Sequence, residues 1–346
     1  MSHILQEDLE SIVEYQLPWQ EMHSCTILIT GATGLIGSLL VKAIHKANQK
    51  HELNLRILAA VRNVKAAKEL LHECDVQFIN KDIREEIIID GNLDYIVHCA
   101  AVTKSKEMVT FPVENIQISV CGTENILKLA KQKRVKSVVY LSSMEVYGIT
   151  NPELEKVTEE DLGYINLTSP RSCYAESKRM CESMCNCYFF QYKVPVKIAR
   201  LAQTFGAGVS REDNRVFAQF AKSAMNGQDI VLHTDGSSTG NYCYTSDAIK
   251  GILLLLLKGE SGETYNISNE ETNMTIRQMA ELVAEKIAGG KISVITDIPE
   301  SSMAYGYAPI FKMKLCSDKI RSIGWTPSIG LKEMYQKMIE ELKYDK

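Results

Sequence analysis

Apolar residues along this chain fall into short continuous runs, separated by longer stretches in which they recur every three or four positions. Continuous runs suit strands buried on both faces, and the wider spacing suits helices that bury one stripe. The runs predict strands over 26–30, 55–61, 76–79, 95–99, 137–142 and 196–201, and the spaced stretches predict helices over 35–47, 112–132 and 172–192. Their alternation predicts an α/β fold, a Rossmann-type doubly wound parallel sheet with helices on both faces. Beyond Phe205, glycines at 206, 208, 227, 236 and 240 cut the pattern into short pieces, as expected of a smaller substrate-binding lobe. The expected division is a helical extension over 1–23, a dinucleotide-binding domain over 24–205 to which 240–267 returns, and a second lobe from 206–239 and 268–346.

Composition narrows the function classes. With 346 residues, 45% hydrophobic and 24% charged, the chain can bury a large core. A net charge of -4 gives no electrostatic case for a nucleic-acid or anionic-membrane partner, so any phosphate must be recognised locally. Glu7, Asp8, Glu10 and Glu14 are wrong for a signal peptide, and the apolar run 252–257 is far too short to span a bilayer, which together predict a cytoplasmic location. The ten cysteines are scattered and read as reduced thiols. Cys181, Cys185 and Cys187 lie close together, but nothing nearby completes a tetrahedral ligand set, so buried helix thiols are expected and no metal.

Thr30-Gly31-Ala32-Thr33-Gly34-Leu35-Ile36-Gly37 stands between the first strand and the first long helix. Glycines there let backbone N–H groups and the positive helix terminus meet a pyrophosphate. Asp82 follows the third strand, where its carboxylate can accept from an adenine amine, and His98-Cys99-Ala100-Ala101 ends the fourth with small residues that let a flat cofactor approach. A site selective for NAD usually ends the second strand with an acid that holds the ribose 2′-hydroxyl. Here no acid lies between Leu53 and Lys68, and Arg62 is placed to meet a 2′-phosphate. NADP(H) is the expected cofactor, with NAD(H) the alternative.

Ser142-Ser143-Met144-Glu145-Val146-Tyr147-Gly148 ends the fifth strand, and the next helix carries Tyr174 and Lys178 four apart on one face. Strand C-termini in open α/β sheets line the ligand crevice. A phenol ionises near pH 10, and Lys178 together with an oxidised nicotinamide is expected to lower that value enough for Tyr174 to act as a base. The Ser143 hydroxyl can hold the substrate oxygen beside it.

These motifs, with Gly122-Thr123-Glu124-Asn125 and Arg200-Leu201-Ala202-Gln203-Thr204-Phe205-Gly206, resemble the extended short-chain dehydrogenase/reductase family of nucleotide-sugar epimerases, dehydratases and decarboxylases. Arg171-Ser172-Cys173-Tyr174 and Asn214-Arg215-Val216-Phe217 look most like its UDP-glucuronate decarboxylase branch. The resemblance implies that Ser143 orients substrate, Tyr174 is the acid/base, Lys178 also binds the nicotinamide ribose, and Glu145 is a second acid/base. It implies cofactor contacts at Gly31, Thr33, Gly34, Leu35, Ile36, Gly37, Arg62, Asp82, Ile83, Ala100, Ala101, Tyr174, Lys178 and Leu201. Substrate contacts are implied at Thr103, Ser143, Gln203 and Arg215, and a homodimer packed through the helices over 112–132 and 172–192.

Departures from the family pattern shape the expected reaction. Met144 stands where dehydratases carry an aspartate, which weakens dehydration. Gly240 replaces an arginine that grips the nucleotide, Gln203 replaces an asparagine, Ser119 replaces another, and the stretch Met303 to Pro309 lacks the arginines of decarboxylases. With Arg62 pointing to a dissociable NADPH, the first expectation is reduction of a keto group on a nucleotide-activated sugar or polyol precursor. The alternative is an epimerase, dehydratase or decarboxylase with tightly held NAD.

Overall fold

The computed structural model describes residues 1–298 and 312–344. Helix α1 (His3–Val13) and a 3₁₀ turn (Trp19–Met22) precede β1 (Thr26–Thr30), α2 (Leu35–Lys50), β2 (Arg56–Val61), α3 (Val64–Leu70), β3 (Gln77–Asn80) and β4 (Tyr95–His98). There follow α4 (Ser105–Thr110), α5 (Pro112–Lys133), β5 (Ser137–Ser143), a 3₁₀ turn (Met144–Tyr147), α6 (Ser172–Tyr192), β6 (Val196–Leu201) and β7 (Gln203–Phe205). The remaining elements are α7 (Val216–Asn226), β8 (Ile230–Leu232), β9 (Thr239–Tyr244), α8 (Thr245–Lys258), β10 (Thr264–Ile267), β11 (Asn269–Thr275), α9 (Ile276–Leu282), β12 (Val294–Thr296), α10 (Asp318–Ser322) and α11 (Leu331–Tyr344).

Seven strands form the main sheet in the order β10-β6-β5-β4-β1-β2-β3, every pairing parallel. The chain leaves β1 toward β2 and β3, then crosses back to β4, so a crevice opens at the carboxyl ends of β1 and β4. All five residues of β1 are buried. Ile27 and Ile29 enter one core with α1, α2 and α8, and Leu28 enters the other with α5 and α6, which is why the strand reads as a continuous apolar run.

The last third divides between two places. Helix α8 and strand β10 belong to the main sheet, β10 pairing with β6 from Thr264 beside Ile198 to Ile267 beside Leu201. Strands β7, β9 and β11 form a small sheet, β8 pairs with β12, and their core packs Phe205 on Phe217 at 4.4 Å between ring centroids. The stretch Met303 to Pro309 lies outside the described residues.

The N-terminal helix is no appendage. Ser2 caps it by accepting from Leu5 N at 3.0 Å, and Leu5, Leu9, Ile12 and Val13 are buried in the main core. Its Asp8 carboxylate accepts from the Tyr244 hydroxyl at 2.5 Å and from Lys337 Nζ at 3.2 Å, tying α1 to β9 and α11.

Candidate active site

Glycine is obligatory at two points of the first turn. Gly31 has φ +63°, and a Cβ there would lie 2.8 Å from the backbone N and Cα of Ala100; at Gly37 it would lie 2.2 Å from the Gly31 carbonyl oxygen. Gly34 is the N-cap of α2 with no side-chain cap, and Thr33 and Gly34 are exposed, so the first N–H groups of α2 face an open cradle. Leu35, Ile36, Ala100 and Ala101 are half-buried around it. Ile83 is buried against α5, where Gly122 gives it room: a Cβ at Gly122 would stand 2.9 Å from Ile83 Cγ2. Leu201 is half-buried beside Ser143 in the sheet register.

A buried polar chain holds the strand ends that form this cradle. Thr30 Oγ1 accepts from Cys99 N at 3.1 Å and Ala100 N at 3.2 Å, which leaves its proton for His98 Nδ1 at 2.7 Å. His98 therefore carries its proton on Nε2, 3.3 Å from Thr123 Oγ1, and Thr123 donates in turn to Cys181 Sγ at 3.3 Å. Burial, reinforced by the Lys178 charge, pushes His98 down to about 3, so the imidazole stays neutral. Cys181 and Cys185 are buried thiols, whereas Cys187 is exposed, contrary to the expectation that all three are buried.

Asp82 is more committed than the sequence suggests. Both its oxygens accept from Arg84, from Nε at 2.9 Å and Nη2 at 2.9 Å, and that pairing holds the carboxyl down at about 2. An adenine amine would share an oxygen with Arg84. The signal was available in the Asp-x-Arg spacing. Arg62 is exposed beyond the end of β2, with no ion pair among the described residues, close enough for its charge to help lower Asp82.

Tyr174 lies 6% exposed beside Met108 and Cys173, and burial is the first reason its phenol is pushed up to about 12. The Glu145 carboxylate pushes the same way; hydrogen bonding to Ser143 and the charges of Arg171 and Arg215 pull it down. Lys178 follows one turn later on the same helix face. Its Nζ donates to the Leu141 carbonyl at 2.6 Å and stands 5.9 Å from the Tyr174 ring centroid, so it does not bond the phenol, and its own pKa is pushed down by burial. Ser143, Tyr174, Glu145 and Arg215 thus share one space, with Lys178 beneath it.

Sequence reasoning missed Arg171 as a member of this group. From the N-cap of α6 its Nη2 donates to Glu145 Oε1 at 2.8 Å, while its buried Nε has no hydrogen-bond partner among the described residues. Arg215 is paired with Asp213 at 2.6 Å. Thr103 and Gln203 are exposed, and neither side chain makes a hydrogen bond among the described residues, so they are not drawn into the cluster. One trio of possible metal donors, Glu270, Cys316 and Asp318, lies elsewhere, and its Glu270 already pairs with Lys156 at 2.8 Å. No described helix is long and apolar enough to cross a membrane.

Residues 27–268 match the model of the NAD dependent epimerase/dehydratase family. The chain is 31% identical over 315 residues to UDP-glucuronic acid decarboxylase 1 of Xenopus tropicalis, covering 90% of this chain and 71% of that protein. It is 27% identical over 327 residues to dTDP-D-glucose 4,6-dehydratase of Homo sapiens, covering 91% and 89%. Among solved structures, UDP-glucuronic acid 4-epimerase of Bacillus cereus, in complex with UDP-glucuronic acid and NAD, superposes with a TM-score of 0.75 at 21% identity, covering 93% of this chain and 100% of that one. The preference for NADP(H) expected from Arg62 finds no support in these relatives.

Proposed function

Because the chain belongs to the NAD dependent epimerase/dehydratase family, and is an enzyme, we propose that it holds NAD in the cradle at Gly31 to Gly37 and converts a nucleotide-activated sugar without net redox change. Epimerisation or decarboxylation of a UDP-sugar is the reading favoured. The cradle fits a dinucleotide, because it is closed to any side chain at Gly31 and Gly37 and open at the N-terminus of α2. NAD held there would supply a hydride acceptor for the sugar.

The remaining chemistry belongs to this chain's own groups. Ser143 orients a sugar hydroxyl, and Tyr174 takes its proton as the carbon is oxidised. Lys178 keeps positive charge under the phenol, and Arg171 and Arg215 lower the energy of the phenolate. Glu145 is the observation that carries the reading. Loss of carbon dioxide from a keto sugar acid leaves a carbanion that must take up a proton besides the one Tyr174 handles, whereas a plain carbonyl reduction needs only Tyr174 as proton donor, without the Glu145 carboxylate. Its presence, held by Arg171, suits a reaction with a second proton to move.

A second reading rests on Arg62: exposed, in no ion pair among the described residues, and in a stretch with no acid between Leu53 and Lys68, it suits a 2′-phosphate and net reduction with NADPH. Exposed Val113 and Ile116 on α5 and Met180 on α6 support a homodimer through those helices. UDP-, CDP-, GDP- and dTDP-sugars assayed with NAD and with NADPH, and analysed by mass spectrometry, test both readings. An unchanged mass or loss of carbon dioxide without cofactor consumption is expected. A gain of two hydrogens with NADPH consumed would replace the first reading by the second.

A further inference from the structure

Helix α6 buries a carboxylate on the face that carries its two reactive residues. Tyr174, Lys178 and Glu182 follow at intervals of four, and Glu182 is 6% exposed. Its partner is Arg200, 4% exposed, which sits on β6 in register with Ser142 of β5 on one side and Asn266 of β10 on the other. Burial disfavours the charge of such a guanidinium, and the hydrogen bonds and charge of the Glu182 carboxylate more than offset this, so its pKa is raised.

The bonds run in three directions. Arg200 grips Glu182 through Nε at 3.0 Å and Nη2 at 2.7 Å. Its Nη1 donates to the Tyr147 hydroxyl at 3.0 Å and to the Glu159 carbonyl at 2.7 Å. Ser142 donates to Glu182 Oε1 at 2.5 Å, and Tyr147 passes its own proton to Asn266 Oδ1 at 2.6 Å. Each donor meets an acceptor, as a buried network of this kind must to be stable. The segments so joined are those that carry the reaction: Ser142 precedes Ser143, Tyr147 lies two residues beyond Glu145, and Glu182 lies two helical turns beyond Tyr174. Arg179 adds one further tie to the same turn, donating to the Val146 carbonyl at 2.7 Å.

We propose that Arg200, Glu182, Ser142 and Tyr147 form the positioning device of the proton-transfer site, fixing Ser143 and Glu145 against Tyr174 through their immediate neighbours. The proposal rests on Tyr174 being the acid/base, and is independent of which sugar is turned over. It separates from a merely structural role because the two anchored groups act on the phenol with opposite sign: Glu145 raises its pKa and Ser143 lowers it. The other charges facing Tyr174 are Arg171 and Arg215, which lower it, and Lys178 at 5.9 Å from the ring centroid. Freeing Ser143 therefore moves the phenol up, and freeing Glu145 moves it down.

Ser142→Ala and Tyr147→Phe each delete one hydroxyl and are compatible with the fold. The test is the Tyr174 titration in NAD-loaded protein, read by NMR of ¹³Cζ-tyrosine and assigned with Tyr174→Phe, which needs no substrate. Ser142→Ala should raise the midpoint and Tyr147→Phe lower it, each by about half a pH unit. With UDP-glucuronate as probe, each variant should also slow formation of NADH absorbance roughly tenfold at unchanged KM and NAD affinity, the loss expected of a displaced proton-transfer group. Unmoved midpoints, or midpoints that move the same way, would overturn the proposal. Failure of UDP-glucuronate to react with the native enzyme would count against the proposed substrate and leave the titration to decide.

Discussion

Helix α6 meets two arginine–glutamate pairs, one at its open N-terminal end and one two turns further in, and the same chemistry serves different ends in the two places. Arg171 and Glu145 have side chains 17% and 37% exposed, share one hydrogen bond, and leave the Arg171 Nε without a partner among the described residues. The Arg200 and Glu182 side chains are 5% and 8% exposed, bond twice, and spend their remaining donors and acceptors on Ser142, Tyr147 and Glu159. Solvent near the outer pair screens it and lets it exchange partners, whereas the inner pair loses too much by opening. An ion pair at the mouth can therefore take part in a reaction, and one in the core can only hold the parts in place.

Glu145→Gln breaks the comparison most severely if it is wrong. Stability should change by less than about 1 kcal/mol, as for a partly exposed pair. Turnover should fall by roughly 10² to 10⁴, the usual worth of a positioned acid/base, in a product-formation assay. Retention of most activity would return Glu145 to the role of a bystander and favour simple reduction.

Glu182→Ala tests the inner pair. It leaves Arg200 buried without its carboxylate and should cost about 3 to 5 kcal/mol in urea unfolding. Replacing both partners, Arg200→Met with Glu182→Leu, should recover most of that stability, since an apolar pair avoids the desolvation penalty, yet it should not recover turnover.

Lys197 sharpens the contrast as a buried cation with no carboxylate partner among the described residues. Its Nζ donates to Ser137 Oγ at 2.8 Å and to the Pro195 carbonyl at 3.4 Å, and burial pushes its pKa down to about 8. The unfolded chain, with an ordinary lysine near 10.4, binds more protons between these values, so this group makes stability rise with pH from about 8 to about 10.4. Lys197→Met should gain on the order of 1 kcal/mol at neutral pH and flatten that rise in urea midpoints. A loss of stability at pH 7 would mean that the two hydrogen bonds outweigh the buried charge.

The smallest effect is expected at the exposed pair of Asp82 and Arg84. The folded Asp82 pKa is depressed, so its contribution is present above the ordinary carboxylate range and lost as pH falls through about 2. Arg84→Ala should return the Asp82 titration toward ordinary values by NMR and lower stability at pH 7 only slightly in urea unfolding, because solvent screens the pair.

The two pairs also show what the sequence can and cannot disclose. Strands β1 and β6 were legible to the residue, because burial on both faces writes an uninterrupted apolar run, and the glycine turn was legible because a Cβ at Gly31 or Gly37 has nowhere to go. The outer pair was legible only in halves: Glu145 and Arg171 are separated by 26 residues, and nothing in either segment specifies the contact. The inner pair left a clue that went unread. Arg200 interrupts an apolar strand and Glu182 falls on the buried face of α6, and two opposite charges in buried patterns imply each other. Burial and the Glu145 carboxylate, which raise the Tyr174 pKa, are not written in the spacing of Tyr174 and Lys178, nor is the bond that the lysine donates to the Leu141 carbonyl.

The central claim is that hydride leaves the sugar and returns to it within one turnover, with Glu145 moving a second proton. Its most direct test is a single turnover of NAD-loaded enzyme on UDP-glucuronate deuterated at its ring carbons, followed by mass spectrometry of product and cofactor. Deuterium lost from the oxidised carbon should reappear in the product, with the cofactor oxidised and unlabelled at the end. Reduced, deuterium-bearing cofactor accumulating in step with product would contradict the account.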